Sequence, residues 1–590
     1  MTAGPLTTRL ATVTATATNT ATEVWQIARL TRDLPGFLRT PLSEAEAAVR
    51  IRQRLETRDT LFLASVERAI YGHARSPYRR LLRHAGCELG DLRALVQHEG
   101  IEGALTILAA RGVYVSFDEL KGRREAIRGS ARFRFSPRDF DSPLVRPHYA
   151  TYTGGSRGVP VLVPRSLPYV EELASSRTVS LAAFGLHGQP HAFWLTNPMT
   201  TMLMSLKTGS DALLWVHPLQ AFPVKGRIGA RYLELMGRAS GAPIPRPRFL
   251  ATEQVSALVR WVARRLREHG PFVIDAVPSS AVRLSVAAQE AGVRLDGLTF
   301  CLQSEPLTRA RHDHIAAAGA RRVVHYTSIE MSGIASSCAA SSQADDLHVF
   351  TDRYAIIECE RPLIVEAAGD VATVQALLLT TLTPTIATVS FNTEPGDHAR
   401  LEQRPCGCSL GALGLTTHVS EVRSFEKLSA EGVSFVRSNV LQVLEEVLPA
   451  TFGGSSLDYQ LVEEEATASN TSLVLRIHPA VGALDEGRVR ETLLRSLAAG
   501  GTVDANHAEL LRLAGSVTIS RQPPVATSAG KVLPLQLARR AGTRSAHHPT
   551  MRPWGSRETE GPDGRPPIDP HGSQVPSPAS GRAGASSADR

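Results

Sequence analysis

TYTGGSRGVPVLVP, Thr151 to Pro164, is the stretch on which the reading of this chain turns. Gly154, Gly155 and Gly158 stand among Thr153, Ser156 and Arg157, directly before a β-like VPVLV. Glycines let a backbone approach a polyphosphate closely, and the amides and hydroxyls of such a turn donate to its oxygens. No Gly-Lys-Ser/Thr follows at Walker spacing, so this is not the loop of P-loop NTPases. A Gly/Ser-rich turn is by itself more often only a turn, and its meaning depends on its surroundings.

Around it, between about Arg132 and His418, the apolar runs PFVIDAV, LTFCLQ, RRVVHY and HVFTDRYAIIE alternate with helical stretches such as VSALVRWVARRLREHG. That alternation predicts an α/β core with buried strands. Upstream, about Glu23 to Glu119 reads as helical, with Asp and Ser near the predicted helix starts. Downstream of Gly432, helix-like VRSNVLQVLEEVL, strand-like YQLVEEE and SLVLRIH and helix-like RVRETLLRSLAAG predict a small α+β module. The expected organisation is a disordered 1–24, a helical subdomain over 25–130, an α/β core over 131–430, the small module over 431–545 and a disordered tail over 546–590 rich in Pro, Gly, Ser and Arg.

At 590 residues the chain exceeds a typical domain several times. Its 43% hydrophobic and 21% charged residues are ordinary for a soluble protein, and no apolar run reaches the roughly 20 residues of a membrane span. The N-terminus lacks the basic start, apolar block and cleavage site of a secretory signal, so a cytoplasmic location is expected. The net charge of +8 is scattered without a basic, aromatic-interleaved stripe, and no nucleic-acid partner is expected. Only five of the 65 basic residues are lysines, at 121, 207, 225, 427 and 531. Six cysteines in so long a chain read as thiols or metal ligands, not as a disulfide scaffold.

Two further stretches carry chemistry. In HYTSIEMSGIASSC, His325 to Cys338, Tyr326 offers a flat ring for adenine and Glu330 a hard oxygen ligand for Mg²⁺. Taken alone, the first reads as core and the second as a solvated carboxylate. RQPPVATSAGKVLPLQ places Lys531 after a glycine, where a mobile ammonium could neutralise charge at a phosphate.

With VPSSAVRLSVAA (Val277 to Ala288) and LQSEPLT (Leu302 to Thr308), these segments run in one order over roughly Arg132 to Arg540. The chain resembles the phenylacetate-CoA ligase branch of the adenylate-forming enzymes. That resemblance implies a large multi-layer α/β N-terminal domain and a small mobile α+β C-terminal domain, with a hinge near Val422 to Gly432. It implies that Thr153, Gly154, Gly155, Ser156, Arg157 and Gly158 hold ATP phosphates, Gly154 and Arg157 replacing the usual Ser and Ser/Thr. Ser304 and Glu305 would lie beside the nucleotide, Gln303 and Ser304 replacing two glycines. Tyr326 and Thr327, the latter in place of Gly, would meet the adenine, and Glu330 would hold Mg²⁺. Asp397, in LLLTTLTPTIATVSFNTEPGDHARLE, would hold the ribose hydroxyls, although Glu394 and Pro395 interrupt the usual Thr-Gly-Asp. Lys531 would be the catalytic lysine.

The implied reaction is ATP-dependent activation of an aryl or fatty carboxylic acid to an acyl-adenylate, then transfer to CoA with release of AMP and pyrophosphate. Transfer to a carrier protein, or acyl-protein synthetase activity, is a second reading, and a degenerate nucleotide-binding or scaffolding protein a third. Dimers are common among such enzymes, which leaves a homodimer open.

Cys406 and Cys408 form a Cys-x-Cys, and Cys338 and His348 belong to elements from which some phenylacetate-CoA ligase relatives build a metal site. Three thiolates and one imidazole would make a closed, structural Zn²⁺ site; four unliganded core residues are the alternative. Cys87, Cys301 and Cys359 read as buried thiols.

Overall fold

The computed structural model describes residues 23–152, 162–217, 224–250, 254–341, 343–364, 371–424, 429–430, 433–434, 439–467, 470–500, 508, 511–512, 517–527 and 530–536. The tail beyond 536, residues 1–22 and part of the expected hinge (425–428 and 431–432) lie outside them; residues 23–39 are helical.

Six strands build a parallel half-sheet: β1 (His191–Trp194), β2 (Ala212–His217), β3 (Pro247–Phe249), β4 (Phe272–Ala276), β5 (Leu298–Gln303) and β6 (Arg321–Tyr326). Their order is β3-β2-β1-β4-β5-β6, with every neighbouring pair parallel. The apolar runs PFVIDAV, LTFCLQ and RRVVHY are β4, β5 and β6. β4 is buried along its whole length and β5 over its first five residues, as expected where both sheet faces are covered. Helices α1 (Val255–His269), α2 (Pro278–Glu290) and α3 (Arg309–Ala317) connect them. α1 turns Leu258, Val259 and Val262 inward while Arg260, Arg264 and Arg267 face out. Pro278 opens α2, where a missing N–H costs nothing, and Thr308 caps α3 by accepting from the Arg311 amide.

The strand order reverses between β1 and β4, which opens a crevice at the carboxyl ends of the strands. Buried charges rivet that junction. The Arg177 guanidinium donates to both Asp275 oxygens at 2.7 and 2.8 Å, and His191 Nδ1 lies 2.8 Å from the same carboxylate. Mutual pairing offsets the desolvation of these groups: burial pushes the Asp275 carboxyl up, but Arg177 and His191 outweigh it and hold Asp275 below the usual carboxylate range.

Beyond β6 the sheet turns antiparallel through β7 (Ala335–Ser336), β8 (Leu347–Val349), β9 (Tyr354–Ile364), β10 (Val371–Thr381), β11 (Asp397–Gln403) and β12 (Thr417–Ser424). The twelve strands run β9-β10-β11-β12-β8-β7-β6-β5-β4-β1-β2-β3. The N-terminal helices share a core with this half: Phe62, Leu81, Leu105 and Leu108 pack with Ala355, Ile357 and Leu378. The small module comprises β13 (Tyr459–Thr467), β14 (Asn470–Ile477), α4 (Glu486–Ala498), β15 (Val517–Ser520) and β16 (Leu535–Gln536), in strand order β15-β14-β13-β16. Its core of Leu461, Leu473, Leu475, Leu493 and Leu497 continues onto Val374 and Ala376 of β10. Among the described residues, no helix is long and apolar enough to cross a membrane.

Candidate functional site

The parallel register pairs His325 with Gln303, so Tyr326 and Ser304 follow side by side at the carboxyl ends of β6 and β5. Tyr326 donates its hydroxyl to Asp397 Oδ2 at 2.9 Å, closing a sequence gap of 71 residues. Burial first, then Asp397, pushes this phenol well above its usual range, so it stays a proton donor at neutral pH. Tyr326 is 9% exposed, its ring lodged in the main core and its hydroxyl on Asp397.

Ser304 adopts φ 72°, the left-handed region that favours glycine. This is where the resembled family carries a glycine, and the exposed serine here bears the strain in its place. Ser304→Gly is therefore expected to raise stability by about 0.5–1 kcal/mol, the relieved left-handed strain less the added unfolded-chain entropy. Urea unfolding of the two proteins checks this.

The Ser304 carbonyl accepts from Lys531 Nζ at 2.9 Å. A tight turn aims this lysine: Gly530 takes φ 78°, the Thr527 amide donates to the Lys531 carbonyl at 2.8 Å, and the Lys531 amide donates back to Thr527 Oγ1 at 3.2 Å. Three bonds seat the turn on the large domain. The Val532 amide donates to Ser279 Oγ at 3.1 Å, Arg283 donates to the Gly530 carbonyl at 2.8 Å, and Arg311 donates to the Val532 carbonyl at 3.0 Å.

Beneath the turn lies a buried ionic network. Glu305 accepts from the Ser279 amide and hydroxyl, each at 2.8 Å, and from Arg311 at 3.3 Å. Arg311 Nε also donates to Glu445 at 3.1 Å, and Thr308 donates to the same carboxylate. The three charged side chains are 1–3% exposed. Glu305, expected beside the nucleotide, thus has its carboxylate engaged by Ser279 and Arg311.

Glu330 sits on the turn between β6 and β7, and buried side chains hold that turn in place. Arg165 donates to the Ile329 carbonyl and, at 3.3 Å, to Ser332 Oγ. Arg353 donates to the Gly333 carbonyl at 2.6 Å, and Tyr354 to the Ser332 carbonyl at 2.8 Å. Tyr169 accepts from the Ser332 amide at 3.1 Å, and Thr327 Oγ1 from the Gly333 amide at 3.3 Å. The Glu330 carboxylate forms an ion pair with Lys121. Arg165 closes the antiparallel pair Tyr149–Tyr152 and Leu162–Arg165, whose intervening Thr153, Gly154, Gly155, Ser156, Arg157 and Gly158 lie outside the described residues.

Sequence reasoning missed Ser279, Arg311, Arg165, Arg353 and Lys121. Only Lys121 carried a signal, as one of five lysines in an arginine-rich chain.

A second constellation lies across the antiparallel strands. Cys338, His348, Cys406 and Cys408 bring their ligand atoms within 4.8 Å of one another. Cys338 Sγ is 4.0 Å from Cys406 Sγ, and His348 Nε2 is 3.1 and 3.2 Å from Cys406 and Cys408. A tetrahedral ion with Zn–S of about 2.3 Å and Zn–N of about 2.0 Å sets edges near about 3.8 Å for S···S and about 3.6 Å for S···N. These three separations differ from those edges by about 0.2–0.5 Å, so the donors approach the spacing of such an ion. His348 Nδ1 lies 2.6 Å from the Leu415 carbonyl, which keeps its proton on that side and turns the Nε2 lone pair to the sulfurs. Burial, then the neighbouring thiols, pushes Cys338 up to about 12. Cys87, Cys301 and Cys359 are buried thiols outside any disulfide.

No family model matches the chain, and no curated protein matches it in sequence. Solved structures do match. A crystal structure of 2-hydroxyisobutyryl-CoA ligase in the postadenylation state with 2-HIB-AMP is similar over 85% of this chain and 91% of that one, at 15% identity and TM-score 0.51. Anthranilate CoA ligase AuaEII in complex with anthranoyl-AMP is similar over 65% and 64%, at 12% identity and TM-score 0.39. Amide bond synthetase McbA from Marinactinospora thermotolerans is similar over 82% and 92%, at 13% identity and TM-score 0.38.

Proposed function

We propose that this chain, which has the α/β fold seen in an acyl-CoA ligase, activates an aryl or fatty carboxylic acid with ATP and passes the acyl group to CoA. One observation supports this most: Lys531, from the small module, delivers its ammonium to the carboxyl end of β5, beside the Tyr326–Asp397 pair. A lysine turn seated on the carboxyl ends of the parallel strands, at β5 beside the β4 edge of the strand-order reversal, suits adenylation of a bound acid.

In the first half-reaction a carboxylate oxygen of the acid bonds to the α-phosphorus of ATP, and the bond to pyrophosphate breaks. Lys531 offsets the negative charge that gathers there. Asp397, oriented by Tyr326, accepts from the ribose hydroxyls, and the strand ends at Ser304 flank the base. In the second half-reaction the thiol gives up its proton to solvent, its sulfur bonds to the acyl carbon and AMP leaves with the bonding electrons, after the small module has moved aside. The aryl or fatty class of the acid, and CoA rather than a carrier protein as acceptor, are part of the proposal.

Glu330 suits Mg²⁺, which takes one or two carboxylates together with substrate phosphates. The ion would supply charge neutralisation at those phosphates. Cys338, His348, Cys406 and Cys408 would hold a structural Zn²⁺.

The test is acid-dependent pyrophosphate release with MgATP across a panel of aryl and fatty acids, followed by addition of CoA or a carrier protein. Release with one acid class, and a thioester with CoA, is the expected result. ATP binding without release for any acid would instead favour a nucleotide-binding protein without turnover.

A further inference from the structure

Among the described side chains, three lysines have defined surroundings, and they divide sharply. Lys207 is buried against the Phe37 ring and donates to the Phe37 carbonyl and to Thr40. Lys531 is the residue aimed at Ser304. Lys121 pairs with Glu330 from a segment far away in sequence, and nothing in the proposed reaction yet uses it.

That pair is not a fluctuating surface contact, because both walls are fixed. Lys121 ends the short helix Phe117–Leu120, whose Ser116 and Glu119 form a capping box. Arg128 grips Glu119 with two bonds of 2.9 Å and donates to the Gly112 and Tyr114 carbonyls at 2.7 and 2.6 Å. Gly122 continues the turn at φ 66°, so close to the Phe135 carbonyl that an added Cβ would meet it at 3.0 Å. On the other side, Arg165, Tyr169, Arg353 and Tyr354 clamp the Glu330 turn. The paired side chains are 11% and 18% exposed.

We infer that Lys121 is the resident counter-ion of Glu330, and that a divalent metal reaches this carboxylate only by exchange for it when nucleotide arrives. The inference rests on the reading of Glu330 as the Mg²⁺ ligand. In the empty enzyme a dication near Glu330 meets an ammonium already in place, and the two repel across a short, partly desolvated gap. A polyphosphate changes the balance, because its oxygens offer the ammonium a new partner and screen it from the metal. The residue type fits exchange. An ammonium is a compact charge with three rotatable donors, whereas a guanidinium would hold the carboxylate through a rigid fork. The chain uses arginine at nearly every other basic position. Lys121 is thus a positioning residue that couples metal binding to nucleotide binding.

The experiment measures Mn²⁺ binding by electron paramagnetic resonance, with and without ATP, in the wild type and in Lys121→Met, Lys121→Gln, Lys121→Arg and Glu330→Gln. Without nucleotide, Lys121→Met is expected to bind Mn²⁺ about tenfold more tightly than the wild type, which corresponds to one lost unit of local repulsion. Lys121→Gln reports the same quantity if the Met variant does not fold. Lys121→Arg is expected to stay near the wild type. With ATP, the advantage of the uncharged variants should vanish. A merely structural ion pair predicts no gain in Mn²⁺ affinity, and equal affinity in the wild type and both uncharged variants overturns the inference while leaving the proposed function standing. If Glu330→Gln binds Mn²⁺ with ATP as well as the wild type does, the metal reading of Glu330 fails and the inference with it.

Discussion

Lys531→Ala is expected to lower the rate of acid-dependent pyrophosphate release by about 10²–10³, the usual cost of removing one preorganised group that stabilises transition-state charge. The thioester half-reaction, started from a supplied acyl-adenylate and CoA, should change by no more than about threefold, because the lysine turn is then expected to be away from the crevice. Measuring the two half-reactions separately checks both statements. A parallel loss in both would place Lys531 in folding or nucleotide binding instead of adenylation chemistry. Lys531→Arg should not restore the rate, since a planar fork cannot occupy the position of a compact ammonium donating to the Ser304 carbonyl.

The second large effect concerns the cysteine and histidine cluster. The purified protein should contain one zinc per chain, and Cys408→Ser should lose it, as measured by metal analysis. At zinc about a thousandfold above its dissociation constant, the ion stabilises the folded chain by about 4 kcal/mol. Chelation or Cys408→Ser should therefore lower the melting temperature by about 3 °C. The loss should reach the nucleotide site. Cys338 lies on the segment that begins with Tyr326 and Glu330, and Cys406 follows the strand that begins with Asp397. The four ligands tie those two segments together, so ATP affinity should fall in the zinc-free protein before any reacting group has been altered. A zinc-free wild type with an unchanged melting temperature on adding zinc would refute the metal site.

The parallel half-sheet was readable because β4, β5 and β6 each carry a short apolar stretch (Phe272–Ile274, Phe300–Leu302 and Val323–Val324) between helical segments, as a strand covered on both faces requires. The antiparallel half was less so. β7 and β8 are two and three residues long, too short for a period of two to appear. Tyr326, Asp397 and Lys531 could be picked from local motifs, and the fold brings the first two into contact and the third to the neighbouring strand end. The four zinc-type ligands were found by residue type, across 70 residues of chain, and they meet. What could not be read was the supporting framework. Arg311 joins Glu305 and Glu445 across 134 residues, and Arg165 reaches the Ile329 carbonyl across 164. An arginine in a chain this rich in arginine carries no local mark of its partner. Ser304 shows the opposite case: the departure from glycine was visible, and the backbone angle supplies its cost.

The Arg311 network has a consequence for timing. Its guanidinium, 3% exposed, bonds at once to Glu305, to Glu445 and to the Val532 carbonyl, so the small module cannot leave by degrees. Separation would strip one arginine of two partners together, Glu445 and the Val532 carbonyl, and would uncover Glu305 on one side and Glu445 on the other, which makes departure a single uncommon event in place of continuous fraying. For the proposed enzyme that event acts as a clock. While it has not struck, the reactive mixed anhydride stays shut away from water, and the frequency of undocking, not the speed of bond making, sets how much of it escapes by hydrolysis before a thiol arrives.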